Sequence, residues 1–394
     1  MKAAIVNGRI FCPHGELQGY AILIEDKKIC DIVPENAINT GEFDVIDARG
    51  CYVSAGWIDL HTHGIGGVDF MDADPDANLR AMEAYARHGV TGVFPTTLSA
   101  PFAELRMALD ALADTDFSAC AGARFLGVHI EGPYFSAEQR GAQPLKALST
   151  PDDREYVELI KEYPFIRRID TAPELSGSAE MARYLRQRGI KCGIAHTNAD
   201  ATVILQEDEG TYPIATHLYS GMSGVHRENG FRRAGAVEAC LLRDDIFCEA
   251  ICDGIHLPPE LLRLIYKIKG AERMILVSDS IRGAELPNEA TFIMGNKDRG
   301  TEAIISDGVA WQPDRSCFAG SVATFDRLVR TAVNTAQLPL GDVLKMSSET
   351  PAKAMGLTRK GVLAPGYDAD ITVFDKDINV KLTMVGGTVV YRVK

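Results

Sequence analysis

The stretch Leu60-His61-Thr62-His63-Gly64 places two histidines directly behind a short apolar run. We predict that residues 56–60 form a strand. Alternate residues of an extended segment point to the same side, so both imidazoles could then reach one metal ion. A His-x-His pair alone is weak evidence for a metal. The loop Gly64-Ile65-Gly66-Gly67 that follows is open enough for a ligand, which makes two unrelated surface histidines an unfavourable interpretation.

The same arrangement of an apolar run and a helical segment recurs along the chain. Proline at the start of a helix predicts helices near Pro101 and Pro151, and glycine at a helix end predicts that Gly89, Gly189 and Gly270 each close one. The apolar or β-branched runs predicted to be strands are residues 56–60, 92–96, 125–130, 166–171, 190–195, 213–216, 246–252 and 274–278.

Strand followed by helix, repeated eight times, is typical of an α/β protein with a parallel (β/α)8 barrel of the TIM type. The two ends lack this rhythm and contain alternating strand-like runs, among them Tyr20-Ala21-Ile22-Leu23-Ile24 and Asp370-Ile371-Thr372-Val373-Phe374. We therefore predict a catalytic barrel over residues 56–359. A small β-sandwich would be built from residues 1–55 and 360–394.

Further polar side chains follow other predicted strands. They are Glu131 in a Glu-Gly-Pro turn, His196, His217 and Asp279. The ends of parallel barrel strands meet at one face, so these groups would converge with the first histidine pair. Imidazoles and carboxylates around a divalent cation activate water, which predicts a metal-dependent hydrolase. Asp279 would be the base that moves a proton, the alternatives being an extra ligand or a partner that orients a histidine.

Composition excludes several other classes. The chain has 394 residues, 46% of them hydrophobic and 24% charged, and its formal net charge of −13 argues against a general nucleic-acid binder. No apolar run is long enough for a spanning helix, so we expect a cytoplasmic protein that does not enter a membrane. The nine cysteines are irregularly spaced and form no Cys-x-x-Cys pair, so no disulfide framework or thiolate zinc site is expected.

Several candidate residues lie outside the strand-end cluster. His256 follows the seventh predicted strand and could bind substrate, and His129 could support the cluster from behind. Basic residues gather in the segment 226–233, where a guanidinium could clamp a phosphate or carboxylate, although a solvated charge run is an equal alternative. Phe318-Ala319-Gly320-Ser321 comes where barrels often bind phosphate through backbone N–H groups. His14 and His88 are expected to have no functional role.

These motifs resemble the amidohydrolase superfamily and, within it, the N-acetylglucosamine-6-phosphate deacetylase family. The resemblance covers essentially the whole chain. The superfamily part rests on Asp59-Leu60-His61-Thr62-His63-Gly64, the strand-end histidines and Asp279. The family part rests on five motifs: His129-Ile130-Glu131-Gly132-Pro133, Gly141-Ala142-Gln143-Pro144, Thr216-His217-Leu218-Tyr219, Asp253-Gly254-Ile255-His256 and Ala319-Gly320-Ser321.

The resemblance implies a role for each polar residue. Glu131, His196 and His217 would hold the principal divalent metal, zinc or iron. His61 and His63 would suit a second one, so that one or two ions are expected. Asp279 would take a proton from water and pass it to the departing amine. The implied reaction gives acetate and a hexosamine 6-phosphate.

The substrate implied by the resemblance is N-acetylglucosamine 6-phosphate, with its phosphate held by Arg227 of the neighbouring subunit in a homodimer. The residues expected to bind substrate are Ala142, Gln143, Ser220, Gly221, Arg227, His256, Phe318, Ala319 and Gly320. The family usually has Asn-Ala where this chain has Ser220-Gly221, and Asn229 replaces the usual proline. Ser220 offers the sugar fewer hydrogen bonds than asparagine.

The departures leave other substrates open. The alternatives are deacetylation of another N-acetylhexosamine 6-phosphate, such as the galacto epimer, and hydrolysis of a cyclic amide or deamination on the same barrel. A non-enzymatic scaffold relative is disfavoured because all the expected ligands and Asp279 are present together.

Overall fold

Eight parallel strands form a barrel in the computed structural model, which describes residues 2–393. Each strand pairs with the next one along the chain, and this confirms the predicted fold class. Every predicted strand is present, with ends displaced by a few residues at most. In chain order, the first to eighth barrel strands are Trp57–Thr62, Val90–Thr97, Arg124–Phe125 with Val128–Ile130, Ile166–Thr171, Lys191–Ile194, Ile214–Ala215, Phe247–Ile251 and Met274–Val277.

The barrel closes between the segments that follow its eighth and first strands. Thr62 and Ser280 form a parallel bridge. The Asp279 amide donates to the His61 carbonyl at 2.9 Å, and the His63 amide donates to the Ser280 carbonyl at 2.7 Å. The backbone that carries the first histidine pair is therefore hydrogen-bonded directly to the backbone that carries Asp279.

Helices surround the barrel. They are Pro75–Arg87, Phe102–Asp114, Glu155–Glu162, Ser178–Arg186, Ala201–Leu205, Ala236–Leu242, Pro259–Arg273, Phe325–Arg330, Leu340–Ser347 and Glu349–Met355. Pro101 precedes a helix as predicted. Pro151 begins only a short 3-10 turn, because Arg154 adopts a φ of 57° and the helix starts after it. Gly270 has a φ of 61° and interrupts a helix that ends three residues later.

Both termini contribute to two packed sheets, as the sequence indicated. One consists of Lys28–Pro34, Tyr20–Glu25, Lys2–Val6 and Asp44–Asp47. The other consists of Thr388–Arg392, Val380–Val385, Ile371–Phe374, Tyr52–Ala55, Arg9–Cys12 and Gly15–Gln18. Ile5 and Ile22 of the first sheet and Ile10 and Ile371 of the second share one buried apolar cluster. The predicted boundaries, residues 1–55 with 360–394 against 56–359, stay a prediction.

Three antiparallel additions were not predicted. Gly64–Ile65 pairs with Val68–Asp69, and His226–Glu228 pairs with Phe231–Arg233. The third addition, which we call the insert sheet, follows the eighth barrel strand and consists of Thr291–Met294, Thr301–Ser306, Val309–Trp311 and Phe318–Gly320. The glycine-containing segment expected to bind phosphate is thus a strand of this sheet, paired with Ala310 and Trp311.

Within residues 2–393, none of the helices combines the length and the apolar character that crossing a membrane requires.

His88 joins the first helix of the barrel to elements near its closure. Its Nδ1 lies 2.8 Å from Asp326 and its Nε2 lies 2.8 Å from Glu285. Burial lowers the pKa of this imidazole, but the hydrogen bonds and charges of the two carboxylates outweigh that effect and raise its pKa to about 9. His88, which was expected to have no functional role, is therefore a structural cation.

We expect His88→Gln to be destabilising at pH 6.5 and nearly neutral at pH 10. The folded-state pKa is raised above the unfolded value of about 6.5, so the stabilisation is fully present below that pH and is lost as pH rises through about 9. Thermal unfolding of both proteins should show midpoints that differ by roughly 2–4 °C at pH 6.5. His14→Gln, at an exposed turn residue, is the control. If the unfolding midpoints of wild-type protein and His88→Gln differ by the same amount at pH 6.5 and pH 10, His88 is not a structural cation.

Candidate active site

Four histidines and one glutamate meet at the carboxyl ends of the barrel strands. The Nε2 atoms of His196 and His217 lie 3.2 and 3.0 Å from Glu131 Oε1. His63 Nε2 lies 3.2 Å from Glu131 Oε2, and His61 Nε2 lies 3.7 Å from Glu131 Oε1. All five residues are buried. The structure thus brings together the five residues that the sequence pattern proposed, with one carboxylate at the centre.

Asp279 lies at the edge of this cluster. Its Oδ1 is 3.4 Å from His61 Nε2 and 3.2 Å from His63 Nε2. Its side chain is 14% exposed, whereas the side chain of Glu131 is only 2% exposed. Asp279 is therefore the more exposed of the two carboxylates in the cluster.

The geometry of the cluster fits a divalent cation. Three sets of side chains have ligand atoms within 4.8 Å of one another: His61 with His63 and Glu131, His61 with His217 and Asp279, and Glu131 with His196 and His217. Imidazole nitrogen and carboxylate oxygen are common ligands of zinc and iron.

Two of the histidines are oriented by backbone carbonyl groups. His63 Nδ1 donates to the Thr96 carbonyl at 3.2 Å, and His196 Nδ1 donates to the Gln139 carbonyl at 2.8 Å. A carbonyl oxygen can only accept, so each Nδ1 carries a proton and each Nε2 faces the cluster, where it can bind a cation once its own proton is released. A partner of this kind on the outer nitrogen is typical of metal-binding histidines.

The charges in the cluster stabilise one another. Burial raises the pKa of Glu131, but the imidazoles of His61, His196 and His217 outweigh this effect and hold the pKa well below its usual range. Burial lowers the pKa of His63, yet Asp279 and Glu131 raise it to about 9. Burial raises the pKa of Asp279, but the charges of His61 and His63 outweigh this effect and lower it to about 2. The carboxylates are thus ionised at neutral pH, and the cluster holds protons that a cation can replace.

The backbone is strained where the strand-end residues enter the cluster. His196, His217 and Asp279 have φ values of 45°, 31° and 45°, a region that residues other than glycine adopt rarely. Each such conformation costs about 1–3 kcal/mol and persists where the surrounding structure enforces it. Gly132 has a φ of 90°, and a Cβ there would lie 2.1 Å from Ser99 Oγ. Only glycine fits directly after Glu131.

A layer of buried charged residues lies beneath the cluster. Arg168 Nε donates to Asp170 at 2.8 Å, and its Nη1 pairs with Glu249. Glu249 Oε2 lies 3.5 Å from His61 Nδ1 and accepts from the His217 amide at 3.3 Å. His129 pairs with Asp170 at 2.8 Å, and burial together with the charge of Arg168 lowers its pKa to about 4. Of this layer, only the supporting place of His129 was anticipated. The sequence contained a signal for these charged pairs, because Arg168 and Asp170 lie in the predicted strand 166–171 and Glu249 lies in the predicted strand 246–252.

A cavity of about 220 Å³ opens above the cluster. The predicted site residues that line it are His63, Glu131, Ala142, Gln143, His196, His217, Ser220, Gly221, His256, Asp279, Phe318, Ala319 and Gly320. The cavity is also lined by four residues that were not predicted as site residues: Leu98, Gly141, Met294 and Cys317. His61 lies underneath, fully buried.

Two polar side chains of the cavity are held by neighbours. Gln143 Nε2 donates to Glu131 Oε2 at 2.9 Å, while Gln143 Oε1 accepts from the Ser99 amide at 2.9 Å. His256 Nδ1 lies 2.6 Å from Asp253 Oδ2. Both side chains are thus fixed before any ligand binds.

Arg227 does not line the cavity of its own chain. It lies on the exposed hairpin formed by His226–Glu228 and Phe231–Arg233. Val225 and Phe231 on the same hairpin are 58% and 71% exposed, unusually high values for large apolar side chains.

Comparison with known proteins agrees with this geometry. Residues 52–390 match the amidohydrolase family. The chain is 29% identical over 373 residues to an N-acetylglucosamine-6-phosphate deacetylase of Lysinibacillus sphaericus, covering 93% of this chain and 92% of the relative. It is 29% identical over 341 residues to an N-acetylgalactosamine-6-phosphate deacetylase of Shewanella sp. (strain ANA-3), covering 86% and 83%.

A solved structure extends the comparison to the fold. The N-acetylglucosamine-6-phosphate deacetylase of Pasteurella multocida superposes with a TM-score of 0.89 at 28% identity, covering 99% of each chain. Amidohydrolases use divalent metal ions, and the cluster of this chain fits one. The chain belongs to the amidohydrolase family and, within it, to the N-acetylglucosamine-6-phosphate deacetylase branch.

Proposed function

We propose that this protein hydrolyses the acetamide of N-acetylglucosamine 6-phosphate to glucosamine 6-phosphate and acetate. The observation that carries the proposal is Asp279, a partly exposed carboxylate within 3.4 Å of two histidines of a metal-compatible cluster. The activity named for the relatives supports the choice of substrate. The cytoplasmic location expected from the sequence stays a prediction.

In this proposal Glu131, His196 and His217 hold the principal divalent ion. His61 and His63, together with Glu131, would hold a second one, and zinc or iron would occupy the site. When bound, the cation polarises the acetamide carbonyl group and lowers the pKa of water.

Asp279 moves the proton in the proposed reaction. Its carboxylate accepts a proton from the attacking water as the new C–O bond forms at the carbonyl carbon. It then donates that proton to the sugar nitrogen as the C–N bond breaks, so the products are acetate and a free amine. Gln143, held between Glu131 and the Ser99 amide, lines the cavity where it can orient the acetamide.

The sugar would lie toward Ser220, Gly221 and His256, with Phe318, Ala319 and Gly320 on the insert sheet beside it. Ser220-Gly221 stands where the family usually has Asn-Ala, and both residues line the cavity. This substitution leaves a second candidate substrate open, the galacto epimer, which is the substrate named for the Shewanella relative.

We further infer that Arg227 binds the substrate phosphate of a neighbouring subunit in a homodimer. Arg227 is exposed and does not line its own cavity, and its hairpin carries two exposed apolar side chains that a partner subunit could cover. A planar guanidinium is suited to a phosphate group.

The first experiment compares Asp279→Asn with Glu131→Gln. Asp279→Asn removes the proton carrier and should lower kcat by about 10²–10⁴-fold while the protein keeps its metal. Glu131→Gln removes the central carboxylate and should lower the metal content as well. Metal content by elemental analysis and acetate release are measured on the same samples. An Asp279→Asn protein with full metal and near-normal turnover would remove Asp279 from this role.

The second experiment tests substrate identity. Acetate release is measured from the gluco and galacto N-acetylhexosamine 6-phosphates and from their unphosphorylated forms. A phosphate-binding site predicts at least about a 10²-fold higher kcat/KM for the phosphorylated sugars. Equal rates with and without phosphate would favour the cyclic-amide hydrolase or deaminase alternative. The ratio between the epimers decides which sugar Ser220-Gly221 recognises.

The third experiment tests whether Arg227 acts across subunits. Arg227→Ala and Asp279→Asn subunits are co-expressed with different tags, and hybrid dimers are formed. One site of each hybrid combines an intact Asp279 with an intact Arg227 from its partner, so a random mixture should recover about a quarter of wild-type activity. Arg232→Ala, on the same exposed hairpin, is the matched control and should be active without mixing. Recovery no greater than the sum of the two variants would show that Arg227 does not act in trans.

A further inference from the structure

A second cavity of about 320 Å³ lies beside the active-site cavity. The two cavities have two lining residues in common, Leu98 and Met294. Both side chains are buried, with exposed fractions of 8% and 4%, and they belong to the same apolar cluster. These two residues, which we call the partition, separate the space above the histidine–glutamate cluster from the second cavity.

The backbone around Met294 is held by an unusual number of polar contacts. Arg282 donates to the carbonyl groups of both neighbours, through Nε to Ile293 and through Nη2 to Gly295, each at 2.7 Å. The Gly295 amide donates to Asp69 at 2.8 Å. Arg282 is itself paired with Asp72 at 2.7 Å. Met294 is thus a fixed part of the cavity wall.

Leu98 is held from the other side. The next residue, Ser99, donates its amide to Gln143, which in turn donates to Glu131. Leu98 Cδ1 lies only 3.5 Å from the position that a Cβ on Gly295 would occupy, so it packs against the segment that carries Met294. The partition is therefore continuous with the support of the central carboxylate.

Leu98 lies on the side of the cavity away from Ser220 and Gly221 of the proposed sugar site. Leu98 follows the second barrel strand, whereas Ser220 and Gly221 follow the sixth. Strands four apart in an eight-stranded barrel are opposite one another. A planar carbonyl carbon bears its nitrogen and its methyl group in separate directions. If the nitrogen leads toward the sugar at the sixth strand, the methyl group points toward the second.

We propose that Leu98 and Met294 determine the length of the acyl group that the enzyme removes, by closing the cavity directly behind an acetyl methyl group. The inference rests on the proposed deacetylase function. Beyond the partition, the second cavity is lined in part by Met71, Ala100 and Pro101, an apolar surface that suits a longer acyl chain. Shortening either partition residue joins the two cavities and gives such a chain a place to lie.

The test compares N-acetyl, N-propionyl and N-butyryl hexosamine 6-phosphates by kcat/KM for release of the free amine. Wild-type protein should prefer acetyl over butyryl by at least about 100-fold, since each additional methylene in a closed pocket counts for roughly 10–200-fold. Met294→Ala and Leu98→Ala should each reduce that preference by at least about 10-fold. Met71→Ala enlarges only the second cavity and should leave the preference for acetyl over butyryl unchanged.

Two further variants cover effects on folding. Met294→Leu is close in volume to the wild-type residue and should keep the acetyl preference. If Leu98→Ala does not fold, Leu98→Val takes its place, because it removes only one methylene. Wild-type protein that accepts butyryl as readily as acetyl overturns the inference, and so do active Met294→Ala and Leu98→Ala variants with unchanged selectivity. If wild-type protein releases no amine from any of the three compounds, the proposed function itself fails.

Discussion

The active site depends on one buried carboxylate. Glu131 lies among four imidazoles, and a charge so deeply removed from water persists only because those groups and Gln143 compensate it. The imidazoles in turn are kept in place by the carboxylate, and those of His63 and His196 also by backbone carbonyl groups. Barrel closure then adds Asp279, whose backbone amide bonds to the carbonyl of His61. Asp279 and the first histidine pair are thus held by the same backbone hydrogen bonds.

The parallel barrel strands and the polar residues at their ends could be predicted from the sequence. Such strands are buried on both faces and read as short apolar runs, so their positions were visible to within a few residues. The polar residue at each strand end stood out against that background. This is why His61, His196 and Asp279 could be proposed as neighbours although more than 200 residues separate the first from the last.

The remaining features depend on contacts distant in sequence. The insert sheet is antiparallel and lies outside the strand–helix rhythm, so its strands were missed. Leu98 and Met294 look like any other core residues until the structure shows a cavity on each side of them. Arg168 and Glu249 interrupt buried runs, yet only their pairing reveals how two such charges are accommodated inside a barrel. Arg227 lies on an exposed hairpin, away from the cavity of its own chain.

Two different structural units build the cavity, and this has an evolutionary consequence. The groups that perform the chemistry come from the barrel strands, where each is tied to the others through backbone and buried charges. Met294, Phe318 and Ala319 come from the insert sheet, which follows the last barrel strand and carries none of the clustered histidines or carboxylates. Mutations at the cavity-facing positions of this sheet change the wall of the cavity without replacing a histidine or carboxylate of the cluster. The scaffold therefore allows descendants to explore new substrates while the hydrolytic apparatus is inherited unchanged.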